Sequence, residues 1–143
     1  MAEDWFWEGN IVVTLATHLC ADGWQVESTA DTASGEAGPD IRATRDGKTL
    51  ILEAKGYPST VYARGKNKGQ PKRTKPATQA RHWYAEALFA AILRQSSLPS
   101  AQVAIAFPSF PVYKALISRT RDALSKLQIS VFVVSKSGEV TQF

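Results

Sequence analysis

The chain has 143 residues, 44% hydrophobic and 21% charged. That length and balance suit one soluble domain with its own core and exclude a disordered or membrane-spanning chain. The formal net charge is +4, yet Arg64, Lys66, Lys68, Lys72, Arg73 and Lys75 all fall between Gly56 and Ala77 with no acidic residue among them, leaving 11 basic against 13 acidic residues elsewhere. Such a concentrated segment is the footprint of a polyanion binder, although a solvated loop has the same composition. A single cysteine, Cys20, excludes an internal disulfide. Set in an apolar helical stretch, it reads as a small core residue in a reducing compartment. The opening Met-Ala-Glu-Asp-Trp-Phe-Trp-Glu has neither the basic nor the apolar region of a secretory signal. No apolar run reaches membrane-spanning length. A cytoplasmic location without a membrane partner is therefore expected.

In chain order, Trp5 to Ala21 has helical spacing, with Trp7, Ile11, Leu15, His18 and Leu19 near one face and Asp4 as candidate N-cap. Asp22-Gly23 stops this helix, and Trp24-Gln25-Val26-Glu27 alternates like a strand. Residues 28–39, rich in Ser, Thr, Asp and Gly, read as a loop. Asp40 to Ala43 and Thr49 to Lys55 flank Asp46-Gly47, the pair that favours a tight hairpin turn. The run Leu50-Ile51-Leu52 implies a strand covered on both faces and hence central. The basic insertion, at about 56–77, is too rich in Gly, Pro, Lys and Asn for regular structure, and is expected to order on contact. A helix follows from about Gln79 to Arg94, with Thr78 as candidate cap and Trp83, Ala87, Leu88, Ala91 and Ile92 as its apolar stripe. A strand over 101–107, a helix from Pro111 to about Leu127 with Leu116, Ile117, Leu124 and Leu127 apolar, a strand over 129–134 and a short strand ending at Phe143 complete the chain. The order αβββαβαβ, before that short last strand, argues for an α/β sandwich around a mixed sheet in one domain, 1–143.

Glu53 and Lys55 share a parity, so they project from one face of their strand. The hairpin folds Asp40 beside them, which brings two carboxylates and an ammonium to one end of a core strand. Charges there are costly unless paired or metal-bound. The same set suits phosphodiester hydrolysis: carboxylates hold Mg²⁺, the ion activates water, and an ammonium steadies developing charge.

Gly38-Pro39-Asp40 followed by Glu53-Ala54-Lys55 resembles the PD-(D/E)xK nuclease superfamily, which includes restriction endonucleases, archaeal Holliday-junction resolvases and lambda-type exonucleases. The resemblance implies a restriction-endonuclease-like three-layer sandwich. It implies an Mg²⁺-dependent nuclease in which Mn²⁺ substitutes, acting on nucleic acid, DNA before RNA, as an endonuclease. The family often adds a glutamate in the first helix, which Glu8 fits; Glu8, Asp40 and Glu53 are then the metal ligands and Lys55 positions water. Its exonuclease branch carries a Gln followed four residues later by Tyr; Gln79 matches, while position 83 is Trp. A homodimer acting on two strands is also implied.

The basic segment would contact phosphates without reading sequence. Tyr57 and Tyr62 could stack on bases or simply pack. His18, His82, Trp5 and Trp7 read as structural, and no His or Cys spacing suggests zinc. Two rivals stay open: a non-catalytic nucleic-acid-binding module, and a regulatory subunit on the same fold.

Overall fold

The computed structural model describes residues 4–29, 38–62 and 65–143. Among the described residues nine elements follow one another: α1 (Glu8–Ala21), β1 (Gln25–Thr29), β2 (Ile41–Arg45), β3 (Lys48–Ala54), α2 (Pro76–Ser97), β4 (Gln102–Pro108), α3 (Pro111–Leu127), β5 (Ile129–Val134) and β6 (Val140–Gln142). The strands form one mixed sheet in the order β1-β2-β3-β4-β5-β6. The first three pair antiparallel, β3, β4 and β5 pair parallel, and β6 returns antiparallel on β5. The expected order therefore holds, with β6 as its last edge.

Chain chemistry explains the alternation. Asp46 and Gly47 both adopt positive φ, 52° and 75°, the backbone of a two-residue primed turn whose twist matches the flanking strands. It sets the β2–β3 register from Arg45 opposite Lys48 to Ile41 opposite Leu52. The β3-to-β4 and β4-to-β5 links are parallel, so each needs a crossover, and α2 and α3 supply them. Strands covered on both faces need apolar residues at both parities, which Leu50-Ile51-Leu52 and Val103-to-Phe107 provide; all of these are buried.

The sheet separates two cores. On one face Ile11, Val12, Leu15 and Leu19 of α1 meet Ile41, Ala43, Leu50, Leu52, Ala54, Ala104, Ala106, Phe132 and Val134. On the other, Ala80, Tyr84, Ala87 and Ala91 of α2 and Tyr113, Ile117 and Leu124 of α3 cover Val103, Ile105, Phe107, Ile129, Val131 and Val133. The result is a three-layer α/β sandwich.

Several local expectations are corrected. Cys20 is exposed, because the buried stripe of α1 ends at Leu19 and the next residue turns about 100° away. The cap of α1 is Trp7, not Asp4: it is the Asp4 main-chain carbonyl that accepts from the Trp7 N–H and from Asn10 Nδ2. Helix α2 begins at Pro76 rather than Gln79, with Lys75 as cap in place of Thr78. Pro at the first helical position loses no bond there. The sheet-facing stripe of α2 runs through Tyr84 instead of Trp83. Three alanines let the helix approach closely, and the Tyr84 hydroxyl pairs with Thr120 Oγ1 at 2.6 Å. In α3, Tyr113 is buried while Leu127 is 40% exposed.

The described part of the basic insertion has more order than its composition implies. Val61 bridges Pro71 antiparallel, the Tyr62 N–H reaches the Gln70 carbonyl, and the Lys72 N–H reaches the Thr60 carbonyl, so the segment closes as a small hairpin.

Candidate active site

The site forms where β3 runs out. Glu53 lies on the face of β3 turned to α2, because Leu52 and Ala54 point to α1. Asp40 immediately precedes β2 and has the parity that also faces α2, since Ile41 and Ala43 face α1. Its Oδ2 accepts the Ala54 N–H at 2.7 Å, which fixes the carboxylate beside the next residue of β3. Lys55 extends the strand by one residue and donates its N–H to the Ala106 carbonyl. Asp40, Glu53 and Lys55 thus meet at one end of the sheet.

Gly56 brings the fourth expected residue. A Cβ there would lie 2.5 Å from the Phe6 carbonyl oxygen and 2.7 Å from the Glu8 nitrogen, both main-chain atoms. Only glycine permits that approach. Tyr57 N–H donates to the Phe6 carbonyl at 3.0 Å, and the buried Tyr113 hydroxyl donates to the Gly56 carbonyl at 2.7 Å. Burial raises the Tyr113 hydroxyl above its ordinary range, so it remains a donor. The start of α1 is therefore fastened to the end of β3, and Glu8 feels Asp40, Lys55 and Glu53.

Two further charges arrive from α2. Glu86 Oε2 accepts from Lys55 Nζ at 3.2 Å, and Arg94 Nε donates to Glu53 Oε1 at 3.2 Å. Glu86 is largely exposed while Glu53 is mostly covered, so the Arg94 pair carries more energy than the Lys55 pair. Sequence reading missed both residues. Their signal was two opposite charges eight positions apart on one helix face, which names no partner until the helix is docked.

Desolvation raises all three carboxyls. Glu8 is pushed up to about 7, chiefly by burial and then by Asp40. Asp40 is raised by burial, against the lowering effects of the Ala54 N–H, Lys55 and Arg94. Glu53 is raised by burial and then by Asp40, with Arg94 pulling the other way. Burial is the largest cause at all three, Asp40 adds to it at Glu8 and at Glu53, and Lys55 pulls the other way at each. Among the described residues, however, no three His, Cys, Asp or Glu side chains already stand grouped as a set that could hold a metal ion.

Gln79 lies in the first turns of α2, where its Oε1 accepts from Lys72 Nζ at 3.4 Å; seven residues, about 10 Å of helix rise, separate it from Glu86. Lys66, Lys68, Arg73 and Lys75 are exposed, Lys72 is half-buried, and Arg64 lies outside the described residues. Tyr57 is not available for a base, since its ring stacks on Phe110 with centroids 3.8 Å apart; Trp5 also stacks on Phe110. His18 packs edge-on against Phe132, and His82 is exposed. A cavity of about 410 Å³ opens elsewhere, between α3 and β5, lined by Ile117, Arg121, Leu124 and Phe143 among others. Glu8, Asp40 and Glu53 are not among the residues that line it.

No protein-family model matches the chain, and no curated protein matches it. Solved structures do. An XisH family protein from Nostoc punctiforme superposes with a TM-score of 0.54 at 15% identity, over 92% of this chain and 96% of that one. An fdxN element excision controlling factor protein from Anabaena variabilis gives 0.53 at 16% identity, over 92% and 95%. The likeness shows a shared fold. It spans nearly the whole of both molecules, the mixed sheet and the three helices included. No helix among the described residues is long and apolar enough to cross a membrane.

Proposed function

We propose that the chain is a metal-dependent nuclease of the PD-(D/E)xK type, with DNA as its preferred polymer and endonucleolytic cutting as its action. The reading is carried by one observation: Asp40, Glu53 and Lys55 converge at the end of β3, with Asp40 held by the Ala54 N–H. Glu8, Asp40 and Glu53 offer hard oxygen donors of the kind Mg²⁺ takes, and Mn²⁺ accepts the same ligands. The bound ion would supply Lewis acidity and an activated water.

The chain's own groups do the rest. Asp40 is held in place by the Ala54 N–H, which donates to its Oδ2. Lys55, paired with the exposed Glu86 carboxylate, can release it and donate to the attacking water or to a phosphate oxygen. Water oxygen bonds to phosphorus, the phosphorus–oxygen bond to the leaving nucleotide breaks, and the proton that the water gives up to solvent is matched by one that the leaving oxygen takes from solvent. Lys66, Lys68, Lys72, Arg73 and Lys75 would grip the backbone electrostatically, and Arg64 belongs to the same basic run.

One comparison favours a second reading. A fold neighbour is named a controlling factor rather than a nuclease, which suits a non-catalytic or regulatory member of the fold. Incubation of the purified protein with supercoiled plasmid in Mg²⁺, Mn²⁺ or EDTA separates the two. Nicking in either metal and none in EDTA supports the nuclease. Salt-sensitive binding with no cutting in any condition supports the regulatory reading.

A further inference from the structure

Helix α2 presents a second stripe besides the one buried in the core. Three contacts fix it: Gln79 with Lys72, Glu86 with Lys55, and Arg94 with Glu53. At 3.6 residues per turn, position 83 lies about 40° from 79 and about 60° from 86, inside that stripe. Its occupant is Trp83. The ring is half-buried, yet it belongs to neither apolar core and, among the described residues, stacks on no other aromatic ring. Tyr84, one residue on, is the aromatic that the core uses. A tryptophan placed this way leaves part of a large flat apolar surface to solvent, one helical turn from Glu86, the residue that pairs with Lys55. The basic hairpin flanks it on the other side, through Lys72 at Gln79.

We propose that Trp83 is a stacking platform for an unpaired base, so that the site takes single-stranded or locally opened nucleic acid with the strand running along α2. The inference rests on the nuclease reading above and names the form of its substrate. The basic hairpin holds phosphates on one side of the platform, while Lys55 and the carboxylates meet the next phosphate on the other. A base in an intact duplex has both faces covered by its neighbours and cannot use such a platform. An unpaired base can, whatever its identity, because every base has a π-face.

The test is fluorescence anisotropy in EDTA, so that no cleavage intervenes, with labelled oligodeoxythymidine, oligouridine and a DNA hairpin whose loop is a non-nucleotide linker, so that it holds no unpaired base. The proteins are the wild type, Trp83→Leu and Trp83→Phe. Leucine keeps an apolar side chain but has no π-face, and thermal melts check that each variant folds. Trp83→Leu is expected to weaken binding of the preferred single strand by roughly tenfold or more, with Trp83→Phe retaining most of it and hairpin binding hardly changed. Equal binding of single strands by Trp83→Leu and wild type overturns the proposal, as does equal loss on single strand and hairpin. If that happens while wild-type protein still nicks plasmid in Mg²⁺, the platform is wrong and the nuclease reading stands. If the wild type binds none of the three and cuts nothing, both fall.

Discussion

Substituting Gly56 by alanine tests how the site is assembled. Gly56 does not adopt positive φ, so an alanine there carries no backbone penalty and any cost comes from space alone. The added carbon would meet the Phe6 carbonyl oxygen at 2.5 Å, the Glu8 nitrogen at 2.7 Å and the Glu8 Cα at 3.3 Å. None of these is a flexible side-chain tip. To reach ordinary contact the start of α1 must retreat by roughly half an ångström or more, stretching the 3.0 Å Tyr57–Phe6 bond and disturbing the stack of Trp5 on Phe110. Overpacking of this kind costs about 1–3 kcal/mol. A loss of about 2 kcal/mol would lower the melting temperature by roughly 6–8 °C and move the urea midpoint by about 1 M. Because Glu8 moves with the backbone, cleavage should fall more than stability does. Urea melts of wild type and Gly56→Ala measure the first effect, and cleavage well below the melting range measures the second. A variant within about 0.5 kcal/mol of wild type would show that the α1–β3 fastening is not as tight as these contacts imply.

Other consequences are as direct. Glu8 is raised from 4.5 to about 7, so its protonated form favours the folded state. That stability is full below about 4.5 and is lost as pH rises through about 7; after discounting for partial exposure it amounts to roughly 1–2 kcal/mol, which Glu8→Gln should abolish in urea melts run across that range. A divalent cation should reverse the loss, raising the melting temperature more at pH 7 than at pH 5, with little effect on Glu53→Gln. Asp40→Asn keeps an oxygen for the Ala54 N–H and should fold like wild type without cutting, whereas Asp40→Ala orphans that N–H at about 1–3 kcal/mol, offset in part by relief of carboxylate crowding. Arg94→Ala removes the cation that holds Glu53, and should lower stability near neutral pH while raising the Glu53 carboxyl further, visible by NMR titration.

Much of this was legible in the chain because it depends on local chemistry. Asp46-Gly47 dictates its turn wherever it sits, and Leu50-Ile51-Leu52 demands cover on both faces. The parity of Glu53 and Lys55 follows from the strand alone, so the alternation of residues along β3 is enough to put two of the site residues on one face. What was not legible depends on docking. The burial of Tyr84 over Trp83 is decided by a close helix–sheet approach through Ala80, Ala87 and Ala91, and a phase difference of one residue is within the noise of a weak apolar stripe. Glu86 and Arg94 find their partners only when α2 lies over the end of β3. Gly56 is silent in sequence, since its need arises from a segment nearly fifty residues away. Cys20 departs from its expected burial for a plain reason, that one step along a helix exchanges core for solvent.

The proposed nuclease uses Asp40, Glu53 and Lys55 with a divalent ion to hydrolyse phosphodiesters. The most direct measurement is cleavage of one labelled DNA by wild type, Asp40→Asn and Lys55→Ala side by side in Mg²⁺, with Mn²⁺ binding measured calorimetrically on the same samples. Cutting is expected from wild type alone, with Mn²⁺ binding weakened in Asp40→Asn and retained in Lys55→Ala. Undiminished cutting by folded Asp40→Asn and Lys55→Ala, or the same activity in EDTA, would contradict the proposal.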